Sequence, residues 1–199
     1  MCLALPALAD DGRRLGTQVP EAGAAVKEGA PSRPRVPRDR RAQLDALFEA
    51  LRLAPDAQSG KAVSGRLDVM FNRTGSPSAD LLMARAALAA DAEEFDLALE
   101  LLDAVLAVVP DHVGAFARRA TLHYAQEDYN SALADVAQVL AREPRHPMGL
   151  FGLALILREL GNDKAALDAA RRALAVHPHL EGAKEMVDEL TISVEGRGI

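Results

Sequence analysis

The chain has 199 residues, of which 49% are hydrophobic, so it can bury a core and is too apolar to be disordered throughout. Aromatic residues make up only 4% and Trp is absent, which indicates a core of Ala and Leu in closely packed helices. The net charge of -6 combines a basic segment, residues 10–41, with an acidic remainder that lacks the basic stripe of a nucleic-acid-binding surface.

The first nine residues are apolar and end in Ala7-Leu8-Ala9, which matches the end of a secretory signal peptide. The cationic start of such a signal is missing. Segment 1–9 is therefore either a signal-peptide remnant, which would place the mature protein in the periplasm, or an ordinary N-terminus of a cytoplasmic protein. No run approaches the ~20 apolar residues that span a bilayer, so no integral membrane segment is expected. Cys2 is the only cysteine, which excludes an internal disulfide.

Residues 10–41 are rich in Pro, Gly, Ala and Arg and show no apolar periodicity, which predicts a disordered tail. Pro31, Pro34 and Pro37 prevent a continuous helix there. The basic end of the tail, residues 33–41, is interpreted as a solvated linker. The alternative is a docking strip for an acidic surface or for lipid head groups.

Folded structure is predicted to begin with a helical hairpin at residues 42–77. Apolar residues recur there with helical spacing in two stretches, and Pro55 separates the stretches. The sequence Thr74-Gly75-Ser76-Pro77 then makes a strong break.

Beyond this break the sequence repeats itself every 34 residues, as Pro110, Pro144 and Pro178 show most clearly. The three units span residues 79–112, 113–146 and 147–180, and the apolar pattern of each predicts two helices. Five further columns hold the same residue in all three units. They are Ala86/Ala120/Ala154, Ala98/Ala132/Ala166, Leu99/Leu133/Leu167, Leu106/Leu140/Leu174 and Ala107/Ala141/Ala175.

A 34-residue unit of two helices with these columns resembles the tetratricopeptide repeat (TPR). The resemblance implies an all-α fold, a TPR-type α-solenoid of antiparallel helix pairs with a disordered N-terminal tail, and a non-catalytic protein-interaction scaffold. The hairpin at 42–77 is out of the 34-residue register and is predicted to be a degenerate unit that covers the apolar end of the stack. An amphipathic helix at 181–191 is predicted to cap the other end, with the residues after it frayed.

No pattern for catalysis, a cofactor or a metal is found. The histidines, apart from His123, fall in the turns between repeats, where a structural role is the simpler interpretation. HExxH, Walker A, G-x-S-x-G and G-x-G-x-x-G sequences are all missing. We therefore expect no enzyme activity, no cofactor and no metal site.

Two arginines break the repeat pattern. Arg85 and Arg119 occupy a first-helix column in which TPRs normally have a core-facing Leu, and the third unit keeps Leu153 there. A buried guanidinium needs an acidic partner, and Asp103 and Asp135 on the second helices are the candidates. We predict a structural pair between Arg119 and Asp135. The alternative is that an arginine reaches into the ligand groove and binds a carboxylate.

The resemblance also implies that the first helices line a concave ligand groove. The Lys and Asn of TPRs that clamp a C-terminal carboxylate are replaced here by Met83 and Ala87, which disfavours that ligand class. The groove positions are mostly apolar and suit an apolar helix or an extended peptide. The predicted partner-binding residues are Met83, Ala87, Arg118, Thr121, Tyr124, Met148, Phe151, Leu155 and Arg158.

The expected partner is thus a protein or peptide. Two alternatives stay open from the sequence. The apolar stripe could pack against the chain's own N-terminal helices or a second copy, which would make a homo-oligomeric structural module with a self-filled groove. The chain could also be an accessory subunit of an enzyme complex.

Overall fold

Nine α-helices and no β-strand make up residues 38–196, the part of the chain that the computed structural model describes. The chain is all-α there, as the sequence predicted. The predicted signal remnant and the predicted tail up to residue 37 lie outside the described residues. The helices are α1 Arg38–Arg52, α2 Ala57–Asn72, α3 Pro77–Asp91, α4 Phe95–Val108, α5 Val113–Ala125, α6 Tyr129–Arg142, α7 Pro147–Glu159, α8 Asp163–Val176 and α9 Ala183–Glu195.

The first and last helices are longer than predicted. Helix α1 starts at Arg38 and not at residue 42, and its Arg40 guanidinium donates a hydrogen bond to the Met70 carbonyl at 2.8 Å. Helix α9 runs to Glu195, through residues that were expected to fray. Its end is held on α8, because Arg171 donates to the Glu195 carboxylate at 2.8 Å.

The turn inside each repeat has the same backbone conformation. One residue per turn adopts the left-handed region, with φ of 61° at Glu93, 60° at Glu127 and 73° at Gly161. These three residues are 34 positions apart, and only glycine adopts this conformation without a steric cost. In the second and third repeats the next residue, Asp128 or Asn162, caps the following helix by accepting a backbone N–H.

Helix pairs α3–α4, α5–α6 and α7–α8 form the stack, and small residues allow them to pack closely. The alanine column of the first helices, Ala86/Ala120/Ala154, and that of the second helices, Ala98/Ala132/Ala166, are both buried. Helix α9 packs on α8 through the buried Met186 and Leu190 and closes the C-terminal end.

The α1–α2 hairpin does not cover the N-terminal end of the stack, and that prediction is wrong. The hairpin lies across the turns that join successive repeats. Its core, which includes Leu51 and Phe71, packs on Val113 at the start of α5 and on Val176 at the end of α8. These two valines flank the inter-repeat turns, so the hairpin buries its apolar stripe against the edge of the stack and not against α3.

Aromatic and polar contacts complete this docking. The Phe71 ring lies 4.7 Å from the His146 ring, centroid to centroid, and the Arg145 guanidinium lies 4.3 Å above the Phe48 ring. His179 Nε2 donates to the Ala54 carbonyl at 3.0 Å. Contacts thus reach the hairpin from the turns after the second and third repeats.

Two glycines show how closely the hairpin approaches. A Cβ at Gly60 would lie 2.8 Å from His177 Cε1, and one at Gly114 would lie 2.7 Å from the Phe71 carbonyl oxygen. Neither glycine has a positive φ. They are therefore required by packing and not by backbone conformation.

Candidate functional site

A cavity of ≈ 380 Å³ lies between the first helices α5 and α7, with α6 behind it and the end of α2 at one side. Small residues that are only partly buried, among them Ala117 and Gly152, belong to its lining. Apolar and aromatic side chains, among them Met148 and Tyr124, line its walls. The cavity therefore combines an apolar surface with small residues that another backbone can approach.

The end of the cavity next to α2 is polar. Arg118 Nε donates a hydrogen bond to Asn72 Oδ1 at 3.1 Å, which ties the guanidinium to the hairpin. Partial burial raises the pKa of Asp68, and the charge of Arg118 opposes that change. The guanidinium at this end is thus oriented by a hydrogen bond to α2, although its side chain stays exposed.

Tyr124 supplies a hydroxyl at the cavity wall. Its ring packs on Tyr129 with the centroids 5.7 Å apart. Partial burial, followed by the negative charge of Glu159, raises the pKa of Tyr124. The hydroxyl is therefore neutral at physiological pH and can donate or accept one hydrogen bond.

The structure brings six of the nine predicted partner-binding residues together in the cavity lining and leaves three out. Met83 is 6% exposed and packs in the core of the first repeat, so it does not face the groove. Ala87 and Arg158 lie outside the lining. The six that line the cavity are Arg118, Thr121, Tyr124, Met148, Phe151 and Leu155.

Sequence reasoning missed the contribution of α2 to the cavity. Asp68, Phe71 and Asn72 belong to the lining but stand outside the 34-residue register. No local signal places them there, because they reach α5 through contacts more than 40 residues apart in sequence, such as Asn72 with Arg118. The α2 helix covers one side of the groove, and Met148, which also lines it, is 49% exposed.

The structure also brings Arg119 and Asp135 together. Arg119 Nε and Nη2 donate to the two oxygens of Asp135 at 2.8 and 2.6 Å, and Nη1 donates to Asp103 of the preceding repeat. The hydrogen bond to Asp135 raises the pKa of Arg119 above its ordinary value. Asp135 is buried, so the pair joins α4, α5 and α6 inside the stack and does not reach the groove. Arg85, in the same column, is exposed.

Three histidines under the hairpin have structural contacts. His112 Nδ1 accepts the Ala115 N–H at 2.9 Å and His146 Nδ1 accepts the Gly149 N–H at 3.0 Å, so each caps a first helix. Burial lowers the pKa of His112 and of His177, and it lowers the pKa of His146 to about 4. These side chains are therefore neutral in the folded protein at pH 7.

Residues 38–196 contain no group of three or more His, Cys, Asp or Glu residues that could hold a metal ion. Among the same residues, no helix has the length and apolar character needed to cross a membrane.

Comparisons with known proteins agree with the repeat architecture. A tetratricopeptide-repeat family model matches residues 117–180. A TPR repeat-containing protein of Rhizobium etli is 34% identical over 154 residues, which are 77% of this chain and 76% of that protein.

Solved TPR structures share the fold at lower identity. The first TPR of Spaghetti (RPAP3), bound to an HSP90 peptide, has a TM-score of 0.57 and 14% identity, over 59% of this chain and 93% of that one. The Yersinia enterocolitica type III secretion chaperone SycD, in complex with a peptide of the translocator YopD, has a TM-score of 0.56 and 14% identity, over 59% and 95% of the two chains. The predicted fold class, a TPR-type α-solenoid, is confirmed.

Proposed function

The chain belongs to the tetratricopeptide-repeat family, whose repeats form protein-interaction scaffolds, and on that premise we propose that its groove binds an apolar helix or peptide. The protein then acts as a non-catalytic adaptor. The observation that carries the proposal is the cavity between α5 and α7, because its walls present apolar side chains to solvent.

The cavity has room for anchoring side chains of a bound helix or peptide. Its volume of ≈ 380 Å³ falls in the range of about 300–1,000 Å³ that is usual for ligand sites. Met148 is 49% exposed although it is a large apolar residue, and a flexible thioether adapts to irregular partners. Burial of this side chain by a ligand would lower the free energy of the complex.

Small residues in the lining of the cavity favour a helical ligand, because its backbone can come close to them. A Cβ placed at Gly152 would be in ordinary van der Waals contact with Val136, at 3.9 Å, and would meet no other atom within 4 Å. Ala117 on α5 is similarly small. Small residues on one surface let a partner backbone approach closely, as an amphipathic helix in a groove requires.

A peptide with a free C-terminal carboxylate is a poor fit. Met83 and Ala87 stand where carboxylate-clamping TPRs have Lys and Asn, and Met83 is buried. Arg118, the cation in the lining, already donates to Asn72 and lies near Asp68. Among residues 38–196, the lining of the groove therefore offers no second cation that could bind such a ligand.

The test is a random peptide library selected against the purified protein, followed by binding titrations of the enriched peptides. We expect peptides with apolar residues at helical spacing. Met148→Glu should weaken their binding at least 10-fold, because the ligand would bury a charge. Leu160→Glu is the matched control. Leu160 directly follows α7, the helix that contains Met148, is 48% exposed and lies outside the cavity. Equal binding by both variants would contradict the proposal.

Export to the periplasm is a further part of the proposal, and it depends on the apolar residues 1–9 and their Ala7-Leu8-Ala9 end. Cell fractionation with N-terminal sequencing tests it. A mature chain that starts at Asp10 in the periplasmic fraction supports export, and an uncleaved chain in the cytoplasmic fraction contradicts it.

A further inference from the structure

The first repeat exposes an apolar face at the N-terminal end of the stack. Leu81 is 62% exposed and Leu88 is 69% exposed on α3, and Leu97 is 43% exposed on the adjacent α4. Because the hairpin lies across the inter-repeat turns, no helix of residues 38–196 covers this face. Large side chains at this exposure are unusual when they are clustered, and such clusters mark interaction surfaces.

The repeat register shows that this face is built for stacking. Leu81, Arg85 and Leu88 share their columns with Ala115, Arg119 and Leu122 of the second repeat. Ala115 and Leu122 are buried in the core cluster of the first repeat.

The third repeat shows the same pattern. A Cβ at Gly149, in the column of Leu81, would lie 2.9 Å from Val139 of the preceding repeat, and Ile156, in the column of Leu88, packs with Val136. In both later repeats this surface therefore contacts a preceding second helix. In the first repeat, no helix within residues 38–196 contacts the corresponding surface.

The charge pattern indicates what covers the face. In the second repeat, Arg119 forms an ion pair with Asp103 of the preceding repeat. Arg85 occupies the same column, so an acidic residue of a partner on this face would take the place that Asp103 has beside Arg119. Glu94, which precedes α4, lines the same shallow depression as Arg85, between Leu88 and Leu97.

The face thus contains an apolar stripe, a cation and an anion. We propose that it binds the same face of a second copy, forming a two-fold dimer in which Arg85 of each copy pairs with Glu94 of the other. A two-fold interface requires a self-complementary patch, in which residue i contacts j and j contacts i. This dimer leaves the groove between α5 and α7 free, so it is independent of the proposed function.

The size of the face sets the expected affinity. Helix α3 has 15 residues and is therefore about 22 Å long at 1.5 Å per residue. Two helices packed 8–10 Å apart make the face roughly 20 Å wide, a footprint of about 450 Å². Stable interfaces bury about 800 Å² per partner, so we expect a dissociation constant in the micromolar range or weaker.

Sedimentation velocity from about 1 µM to about 1 mM tests the dimer, using the full chain. We expect a reversible monomer–dimer equilibrium that Leu88→Asp weakens at least 10-fold. Because Leu88 is 69% exposed in the monomer, this variant should keep its helicity and its groove binding. Leu160→Asp, at a 48% exposed leucine outside the face, is the control and should dimerise like the parent.

A charge exchange tests the pairing itself. Arg85→Glu and Glu94→Arg should each weaken the dimer, because each places like charges opposite one another. The double variant Arg85→Glu/Glu94→Arg should restore it to within about threefold. A chain that stays monomeric at every concentration overturns the proposal, as does a dimer that Leu88→Asp leaves intact or a double variant that is weaker than either single one.

Discussion

The repeat stack and the α1–α2 hairpin are held by different kinds of contact. Inside the stack, neighbouring helices pack through alanine columns such as Ala98/Ala132/Ala166, and each helix contacts those next to it in the chain. The hairpin instead contacts residues far away in sequence. Phe71 packs on His146, and Gly60 packs on His177.

This difference separates two sources of stability. The stack is a sum of similar local interfaces, as is usual for repeat proteins. The hairpin depends on a few close contacts with three buried histidines, His112, His146 and His177. Its docking should therefore respond to changes at these histidines, two of which also cap helices of the stack.

Acidification is the change to which we expect the largest response. Burial lowers the pKa of His146 to about 4, so the unfolded chain, with a pKa near 6.5, binds more protons between these values. Stability is therefore complete above pH 6.5 and falls as the pH decreases towards 4. His146 alone should remove about 2 kcal/mol between pH 6.5 and 5. His112 and His177, whose pKa values are also lowered, act in the same direction.

Urea unfolding followed by circular dichroism at pH 7.5, 6.5, 5.5 and 5 measures this loss. A protonated His146 can no longer accept the Gly149 N–H, so the helix cap is lost as well. His146→Asn keeps a capping acceptor without a titrating group and should flatten the pH dependence. An identical slope in the parent and this variant would refute the assignment to His146.

Removing one member of the buried ion pair is the second test, and it addresses the stack. Asp135→Ala should lower the free energy of unfolding by about 2 kcal/mol, less than for a fully buried pair because Arg119 keeps Asp103 as a partner. The third repeat has Leu153 and Ala169 in these columns. The double variant Arg119→Leu/Asp135→Ala copies that arrangement and should recover most of the loss in thermal or urea unfolding.

Gly114→Ala tests the contact between stack and hairpin. A Cβ at this residue would lie 2.7 Å from the Phe71 carbonyl oxygen, so we expect a loss of about 1–2 kcal/mol. Gly65→Ala is the matched control in α2, because no atom lies within 4 Å of its Cβ position. Alanine there should stabilise the protein by up to about 1 kcal/mol through helix propensity. If both alanine variants are more stable than the parent protein, the close approach of α2 to α5 is contradicted.

Glu127→Gly is expected to have the smallest effect. Glu127 has a φ of 60°, and Gly161 at the same position of the third repeat has a φ of 73°. Glycine removes the steric cost at this turn but increases the entropy of the unfolded chain, which leaves a net gain of about 0.5–1 kcal/mol. Thermal unfolding measures it. The pH dependence caused by the histidines should stay the same, since this turn lies inside a repeat.

The repeat architecture could be predicted from the sequence because its signals are local and occur three times. The prolines at 110, 144 and 178 and the alanine columns recur every 34 residues. The placement of Arg119 beside Asp135 also followed from the register, since a guanidinium in a core column has few possible partners.

The position of the hairpin could not be predicted, because it has no register with the repeats. Its docking depends on Val113 and Val176, which look like ordinary helix ends in the sequence. For the same reason the sequence predicts that the histidines lie in turns, but it does not predict that the α1–α2 hairpin covers them. Met83 was assigned to the groove from its column alone, although the first repeat buries that side chain.

The docked hairpin also has a mechanical consequence. A solenoid of stacked helix pairs is elastic, and the hairpin connects its repeats. Its contacts run from Val113, near the first inter-repeat turn, to Val176, near the last. The docked hairpin therefore limits how far the repeats can move apart. A ligand that needs a wider groove must first weaken the contacts between hairpin and stack, so its affinity will rise under conditions that release the hairpin.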